Sequence, residues 1–210
     1  MKSLKIITLQ LAALLCVGCM LTSCLDDDDD NDNGFKYLTK TEQQQAFSKI
    51  AGYHKGYICW TTSPSSAKLD SAEVTLNAAS DSTIYIYNFP TKPLAAYMME
   101  GQQELKDSLE KQKDVTLTLY TRYYHLSPVY FQADPYNLSY NVTFGGKSHK
   151  VEVAFYSGMP SYLYGVYNSS ATNKLQILLC EAAIWVDRDL SNANPTNYLS
   201  STHTFYFLSK

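Results

Sequence analysis

Alternation of apolar and polar residues between short turn signals constrains the fold of this chain more than any other feature. The clearest example joins Asn137–Phe144 to Lys147–Tyr156 through Gly145-Gly146, with apolar residues at alternate positions of both arms. Two glycines between alternating arms predict a β-hairpin. The other segments of this kind predict strands at Tyr53–Thr62, Ser71–Asn77, Ser82–Phe89, Val115–Tyr124, Val129–Gln132, Ser161–Tyr167, Leu175–Val186 and Thr202–Leu208.

Two stretches carry helical signals instead. Thr41-x-x-Gln44 matches a capping box and predicts a short helix that runs through Ile50. Pro93 precedes apolar residues at helical spacing, and Gly101 is placed to divide that second helix. We therefore predict an α+β fold, mainly antiparallel β, with two helices and about nine or ten strands in a single curled sheet, a barrel or a sandwich.

The first residues are typical of an export signal. Lys2 and Lys5 precede the apolar run Ile6–Met20, which is shorter than the roughly 20 residues that span a bilayer. Leu21-Thr22-Ser23-Cys24 then places an aliphatic and two small residues before a cysteine, which resembles the lipobox of bacterial lipoprotein precursors. That resemblance implies cleavage before Cys24 and acylation of its thiol; Cys19 has a poorer upstream match.

An acidic run follows the predicted lipidation site. Six of the 20 acidic residues lie between Asp26 and Asp32, and the chain from Phe35 onward carries fifteen Lys and Arg against fourteen Asp and Glu. Such a run favours an extended, solvated spacer, and the remaining domain has no basic surface that would indicate nucleic acid. The predicted organisation is a signal peptide (1–23), a lipidated cysteine with its spacer (24–34) and one β-rich domain (35–210).

Acidic residues close behind a lipidated cysteine resemble the signal by which Bacteroidetes export lipoproteins to the cell surface. The resemblance implies a lipid anchor in the outer membrane and exposure at the cell surface, with a periplasm-facing lipoprotein as the alternative. Asp-Ser-Ala, Asp-Ser-Thr and Asp-Ser-Leu strings also resemble Bacteroidetes O-glycosylation sites. They predict glycans at Ser71, Ser82 and Ser108, which would then face solvent.

Cys59 and Cys180 are the cysteines that follow Cys24. In an oxidising compartment they could form a disulfide that closes a long loop and stabilises the fold. The alternative is two separate buried thiols, since free cysteine packs as a small hydrophobe. The sequence leaves both interpretations open.

No sequence motif indicates catalysis. The four histidines, His54, His125, His149 and His203, lie in different β segments without the spacing of a metal site. We predict no cofactor, no metal and no enzyme activity. A pocket in which His125 or His149 met Asp134 or Glu152 would change that prediction.

Tyrosine is unusually abundant, with 18 in 210 residues, and six of them lie between Tyr120 and Tyr140. Alternation in the strand from Val115 places Tyr120, Arg122 and Tyr124 on the face opposite its aliphatic residues. Tyrosine combines a rigid apolar face with a hydroxyl group, so this face is predicted to bind an extracellular glycan or an envelope protein. The alternative is that tyrosine fills sheet faces because its β-propensity is high.

Ile50-Ala-Gly-Tyr-His-Lys-Gly-Tyr57 enters the first predicted strand, and Asn88-Phe89-Pro90 precedes the second helical stretch. Together with the lipobox and acidic spacer, these segments resemble small Bacteroidetes surface lipoproteins whose domain has no assigned function. That resemblance implies no activity and no site residues. The Gly-Tyr-x-x-Gly string is also similar to the opening of calycin-like barrels, which implies, as an alternative function, a small apolar ligand inside a barrel.

Overall fold

An antiparallel sheet that closes into a barrel organises the computed structural model, which describes residues 36–158, 163–189, 191 and 194–210. The predicted signal peptide, Cys24 and the predicted spacer lie outside the described residues, and the compact unit spans Tyr37–Lys210. The strands of the described residues are β1 (Gly52–Thr61), β2 (Leu69–Ser80), β3 (Thr83–Phe89), β4 (Val115–Leu126), β5 (Val129–Pro135), β6 (Leu138–Phe144), β7 (Lys147–Phe155), β8 (Tyr164–Tyr167), β9 (Leu175–Val186) and β10 (His203–Ser209). The predicted α+β class, mainly antiparallel, is confirmed.

Eight of these strands form the barrel. β1 to β5 are consecutive antiparallel neighbours, β5 pairs with β8, and β8 pairs with β9. β10 pairs with both β9 and β1, which closes the cylinder. Beyond Glu181, β9 pairs with β7 instead, so the β6–β7 hairpin extends the sheet past the barrel rim. Of the three predicted architectures, the structure has the barrel.

Helices lie at the two ends of the barrel. Helix α1 (Lys40–Ile50) buries Ala46 and Ile50 beneath the start of β1. Its capping box is formed by Thr39 and Glu42 rather than by Thr41 and Gln44, so the sequence match was two residues late. The difference arises because Thr-x-x-Glu and Thr-x-x-Gln overlap here, and Glu42 accepts from the Thr39 backbone N–H at 2.9 Å.

The opposite end is closed by the segment between β3 and β4. A 3₁₀ helix (Lys92–Ala95) and helix α2 (Gln103–Glu110) lie there, and Gly101 between them has φ of +83°. The positive φ explains why one continuous helix does not form. The predicted division at Gly101 is therefore confirmed.

Aromatic side chains pack against one another inside the barrel. Phe89 packs against Phe205 with ring centroids 5.6 Å apart, and Tyr123 packs against Phe131 at 5.4 Å. All four side chains are inaccessible to solvent. Eight strands enclose an interior about wide enough for side chains alone or for one small ligand, and an apolar ligand would have to displace these rings.

Candidate functional site

The outer face of β4 and β5 carries the residues that sequence alternation singled out. Tyr120 is the register partner of Asp134, and Arg122 is the partner of Gln132. Directly opposed residues project from the same face of a sheet, so these four side chains form one outer surface. Leu119, the residue before Tyr120 on β4, points into the core and is fully buried. The prediction that Tyr120, Arg122 and Tyr124 lie opposite the aliphatic set is confirmed.

Arg122 is held against aromatic rings. Its guanidinium carbon lies 4.4 Å from the centroid of Tyr37 and 5.9 Å from that of Tyr120. Its Nη2 donates to Oε1 of the buried Gln132 at 3.3 Å, and the Tyr37 hydroxyl donates to the same oxygen. These cation–π and hydrogen-bond contacts leave the side chain half-buried. Arg122 therefore packs within the outer surface, against Tyr37, Tyr120 and Gln132, rather than projecting into solvent.

Gln132 also orients the Asp134 carboxylate. Its amide nitrogen lies 2.9 Å from Oδ1 and 2.7 Å from Oδ2 of Asp134. The Gly158 backbone N–H donates to Oδ1 at 2.9 Å. An ionised carboxylate has about four acceptor positions, so Oδ2 keeps acceptor capacity for a ligand hydroxyl.

An open groove of about 610 Å³ lies beside this carboxylate. Its two aromatic walls are accessible, with Tyr120 41% and Tyr136 60% exposed. The backbone N–H of Tyr136 donates to the Thr118 carbonyl at 2.9 Å, which fixes its position next to β4. The lining residues are Tyr120, Asp134, Pro135, Tyr136, Asn137 and Ser157. Exposed aromatic faces beside a fixed acceptor can stack on a ring and bind its hydroxyl groups.

Tyr124 lies on the same outer surface but does not line this groove. Its ring stacks on Tyr130 with centroids 6.0 Å apart and a 12° angle between planes. Burial raises the pKa of the Tyr124 hydroxyl, and nearby Tyr130, Tyr164 and Tyr37 add to the effect. Tyr123 and Tyr140 face the core instead. Tyrosine therefore fills the core at Tyr123 and Tyr140, whereas Tyr120 and Tyr136 are exposed, and a binding role for the exposed tyrosines stays a prediction.

Tyr136 and Asn137 were missed as site residues because the predicted fifth strand ended at Gln132. The strand continues to Pro135, whose position at its end needs no backbone N–H. Had the predicted strand continued, its alternation would have placed Asp134 and Tyr136 on the same face as Tyr120.

The two cysteines of the domain are separate buried thiols rather than a disulfide. Cys59 lies on β1 and Cys180 on β9, and β10 runs between these strands. Two strand spacings of about 4.8 Å exceed the roughly 7 Å Cα separation that a disulfide tolerates. Burial raises the pKa of the Cys59 thiol to about 11, which keeps it protonated and unreactive.

The predicted O-glycosylation sites differ in exposure. Ser71 is exposed, whereas Ser82 and Ser108 are half-buried. The Ser108 hydroxyl donates to the Thr143 carbonyl at 2.8 Å, so a glycan there would displace this bond. Modification of these serines stays a prediction.

Neither His125 nor His149 is hydrogen-bonded to Asp134 or Glu152, the pairing that would have indicated catalysis. His125 Nδ1 lies 2.6 Å from the Pro128 carbonyl oxygen, and His149 Nδ1 lies 2.7 Å from Asp187 Oδ2. No group of three metal-binding side chains occurs among the described residues. Nor does any helix in the described ranges have the length and apolarity of a membrane span.

The pairing of Glu181 with His203 was not predicted from the sequence. Glu181 of β9 and His203 of β10 are register partners on the inner face, and both are inaccessible to solvent. The signal was present, because Glu181 is the single acid in the apolar run Leu175–Val186. A lone acid in a strand that is apolar on both faces predicts a buried partner, but that partner lies on another strand.

Comparison with known proteins identifies a family. The family model described as a domain of unknown function (DUF4840) matches residues 49–186, about two thirds of the chain, which include the whole groove. No curated protein and no solved structure matches the chain. The chain therefore belongs to the DUF4840 family.

Proposed function

We propose that this protein is a non-enzymatic lipoprotein, anchored through Cys24 at the outer surface of the outer membrane, that binds an extracellular glycan. The observation that carries the binding proposal is the groove between Tyr120 and Tyr136, with the oriented carboxylate of Asp134 at its side. The lipobox Leu21–Cys24 and the acidic run after it support the anchoring.

The groove has the size and chemistry of a carbohydrate site. Its volume falls within the roughly 300–1,000 Å³ of small-molecule sites. Two exposed phenol rings offer stacking faces, and Asp134 Oδ2 offers an acceptor to a hydroxyl donor. Because Asp134 places a negative charge in the groove, it disfavours acidic sugars. We therefore expect neutral oligosaccharides to bind more tightly than uronic acids.

A glycan array probed with the purified protein tests the proposal. We expect binding to neutral oligosaccharides that is lost on Tyr120→Ala and weakened about tenfold or more on Asp134→Asn, since a hydrogen bond to a charged acceptor is worth about 1.5–3 kcal/mol. Tyr53→Ala is the matched control, because Tyr53 is 72% exposed on β1 and does not line the groove.

An array without binding would contradict the glycan proposal. If no glycan on the array bound, but an envelope protein bound and Tyr120→Ala abolished that binding, the same surface would be a protein-contact site. Binding that Tyr53→Ala and Tyr120→Ala reduce equally would show that the groove is not the site.

A further inference from the structure

Glu181 and His203 form a contact between two titratable groups inside the barrel. Glu181 Oε2 lies 3.4 Å from His203 Nδ1, and neither side chain is accessible to solvent. A buried charge without a partner is costly, so the number of protons on this pair matters for the fold.

The hydrogen bonds limit that number. His203 Nε2 lies 3.2 Å from the Thr61 carbonyl oxygen, which can only accept, so Nε2 carries a hydrogen. Nδ1 faces the carboxyl group. With one proton on the pair, either a protonated Glu181 lies beside a neutral imidazole, or a carboxylate lies beside an imidazolium. Both arrangements place one proton between the two residues and carry no net charge.

The surroundings cannot neutralise a gained or lost proton. Among the described residues, the titratable groups near the pair include the hydroxyls of Tyr97 and Tyr140 and the thiol of Cys180, and Asp114 lies near Tyr140. In the described part of the chain, no Lys or Arg forms a salt bridge with Glu181, and neither of its carboxyl oxygens has a hydrogen bond. Burial raises the pKa of Glu181 well above its ordinary value and lowers that of His203 to about 4.

The segment that follows the 3₁₀ helix lies against the pair. The Tyr97 ring stacks on the His203 imidazole with centroids 4.1 Å apart and planes 10° apart. We call residues 96–101, which follow the 3₁₀ helix, the cover. Across from it, Met99 N–H donates to the Tyr198 carbonyl at 2.9 Å, and Ser200 N–H donates to the Tyr97 carbonyl at 2.8 Å. The cover makes these two backbone hydrogen bonds to the 198–200 segment, and Tyr97 is its one buried side chain. Leu94 and Ala95, which precede it, stay fully buried in the core, so the cover can open without dismantling the barrel.

We propose that the Glu181–His203 pair is a proton-dependent latch, which keeps the cover closed on the barrel end while the pair holds one proton. When the pair gains or loses a proton, it carries a buried net charge. Opening of the cover at Tyr97 lets water reach the pair and solvate that charge. The latch is independent of glycan binding, because the groove lies on the outer surface of β4 and β5.

The pH dependence follows from proton counting. In the open cover the two groups return to their ordinary pKa values, 4.5 for Glu181 and 6.5 for His203. Between these values the open state also holds one proton, so opening does not depend on pH. Above pH 6.5 the open state loses that proton, and the opening constant rises about tenfold per pH unit. Below pH 4.5 the open state gains a second proton, and opening increases until the closed pair also gains one near the lowered His203 pKa of about 4.

Hydrogen exchange of the Met99 and Ser200 amides, corrected for the intrinsic rate, measures this opening. We expect constant protection from pH 5 to 6.5 and about a tenfold loss for each unit above pH 7. Protection that is constant up to pH 8.5 would overturn the proposal.

Two variants separate the latch from a general effect of pH. Glu181→Gln keeps the size and removes the acid, so protection should stay constant above pH 6.5 and fall only on the acid side. His203→Gln leaves Glu181 alone, so the alkaline loss should begin about two units lower, near pH 4.5. If Glu181→Gln does not fold, the lower pH at which His203→Gln begins to lose protection tests the proposal instead. Asp187→Asn, which breaks the exposed His149 pair, is the matched control and should keep the native profile.

Discussion

Gly165 of β8 offers a strong test of the barrel's packing. It is the register partner of Phe131 on β5 and faces the interior. A Cβ built on Gly165 would lie 2.5 Å from Phe131 Cε1 and closer still to Cζ and Cε2. Carbon atoms pack at about 3.5–4.0 Å, so in Gly165→Ala the ring would have to move by about 1 Å or more.

The cost follows from what surrounds the ring. Phe131 is inaccessible to solvent and packs against Tyr123, which is also fully buried, so a shift of the Phe131 ring presses on buried neighbours. Overpacking of a filled core costs about 1–3 kcal/mol, and we expect Gly165→Ala to lie at the upper end. Phe131→Ala alone should cost about 3–5 kcal/mol through the cavity that it leaves.

The two substitutions should compensate each other. Once Phe131 is alanine, the added methyl group enters the cavity, and the backbone of Gly165 is outside the left-handed region. There Gly165→Ala should be neutral or stabilise by about 0.4–1 kcal/mol. Urea unfolding followed by circular dichroism gives the coupling energy from a double-mutant cycle, which we expect to be about 3 kcal/mol. A cost of Gly165→Ala below about 1 kcal/mol, or an equal cost in both backgrounds, would refute this packing.

Three further predictions follow from the cap, the cysteines and the lipobox. Thr39→Ala should lower the free energy of unfolding by about 1 kcal/mol, because Thr39 forms the capping box, whereas Thr41→Ala should not; equal effects in urea unfolding would contradict the observed cap. Reductant should leave the melting temperature of a variant that keeps only Cys59 and Cys180 unchanged, since both are free thiols, and a reductant-dependent decrease would indicate a disulfide. Cys24→Ala should abolish metabolic palmitate labelling and membrane retention, whereas Cys19→Ala should keep both. Loss of the label in Cys19→Ala would indicate that Cys19 is the lipidated residue.

Sequence reasoning succeeded where the signal is local. Alternation with period two predicted which face of β4 carries Tyr120 and Arg122, because successive residues of a strand point to opposite sides. Gly145 and Gly146 predicted their hairpin because both adopt positive φ, 55° and 72°. Gly101 predicted a helix boundary for the same reason.

The remaining features depend on contacts between distant residues. Closure of the barrel requires β10 to pair with β1, and no property of either segment alone distinguishes a barrel from a sandwich. Glu181 and His203 meet because β9 and β10 are adjacent, which their separate sequences do not reveal. The groove needs Gly158 and Ser157 beside Asp134, and a turn after β7 brings them there.

Calorimetric titration of the purified protein with a neutral oligosaccharide bound on the array tests the glycan proposal most directly. Truncation of a central aromatic contact typically costs more than about 1 kcal/mol. We therefore predict that Tyr120→Ala and Tyr136→Ala each weaken binding about tenfold or more, while Tyr53→Ala binds like the native protein. Unchanged affinity in both groove variants would contradict the assignment of the groove as the glycan site.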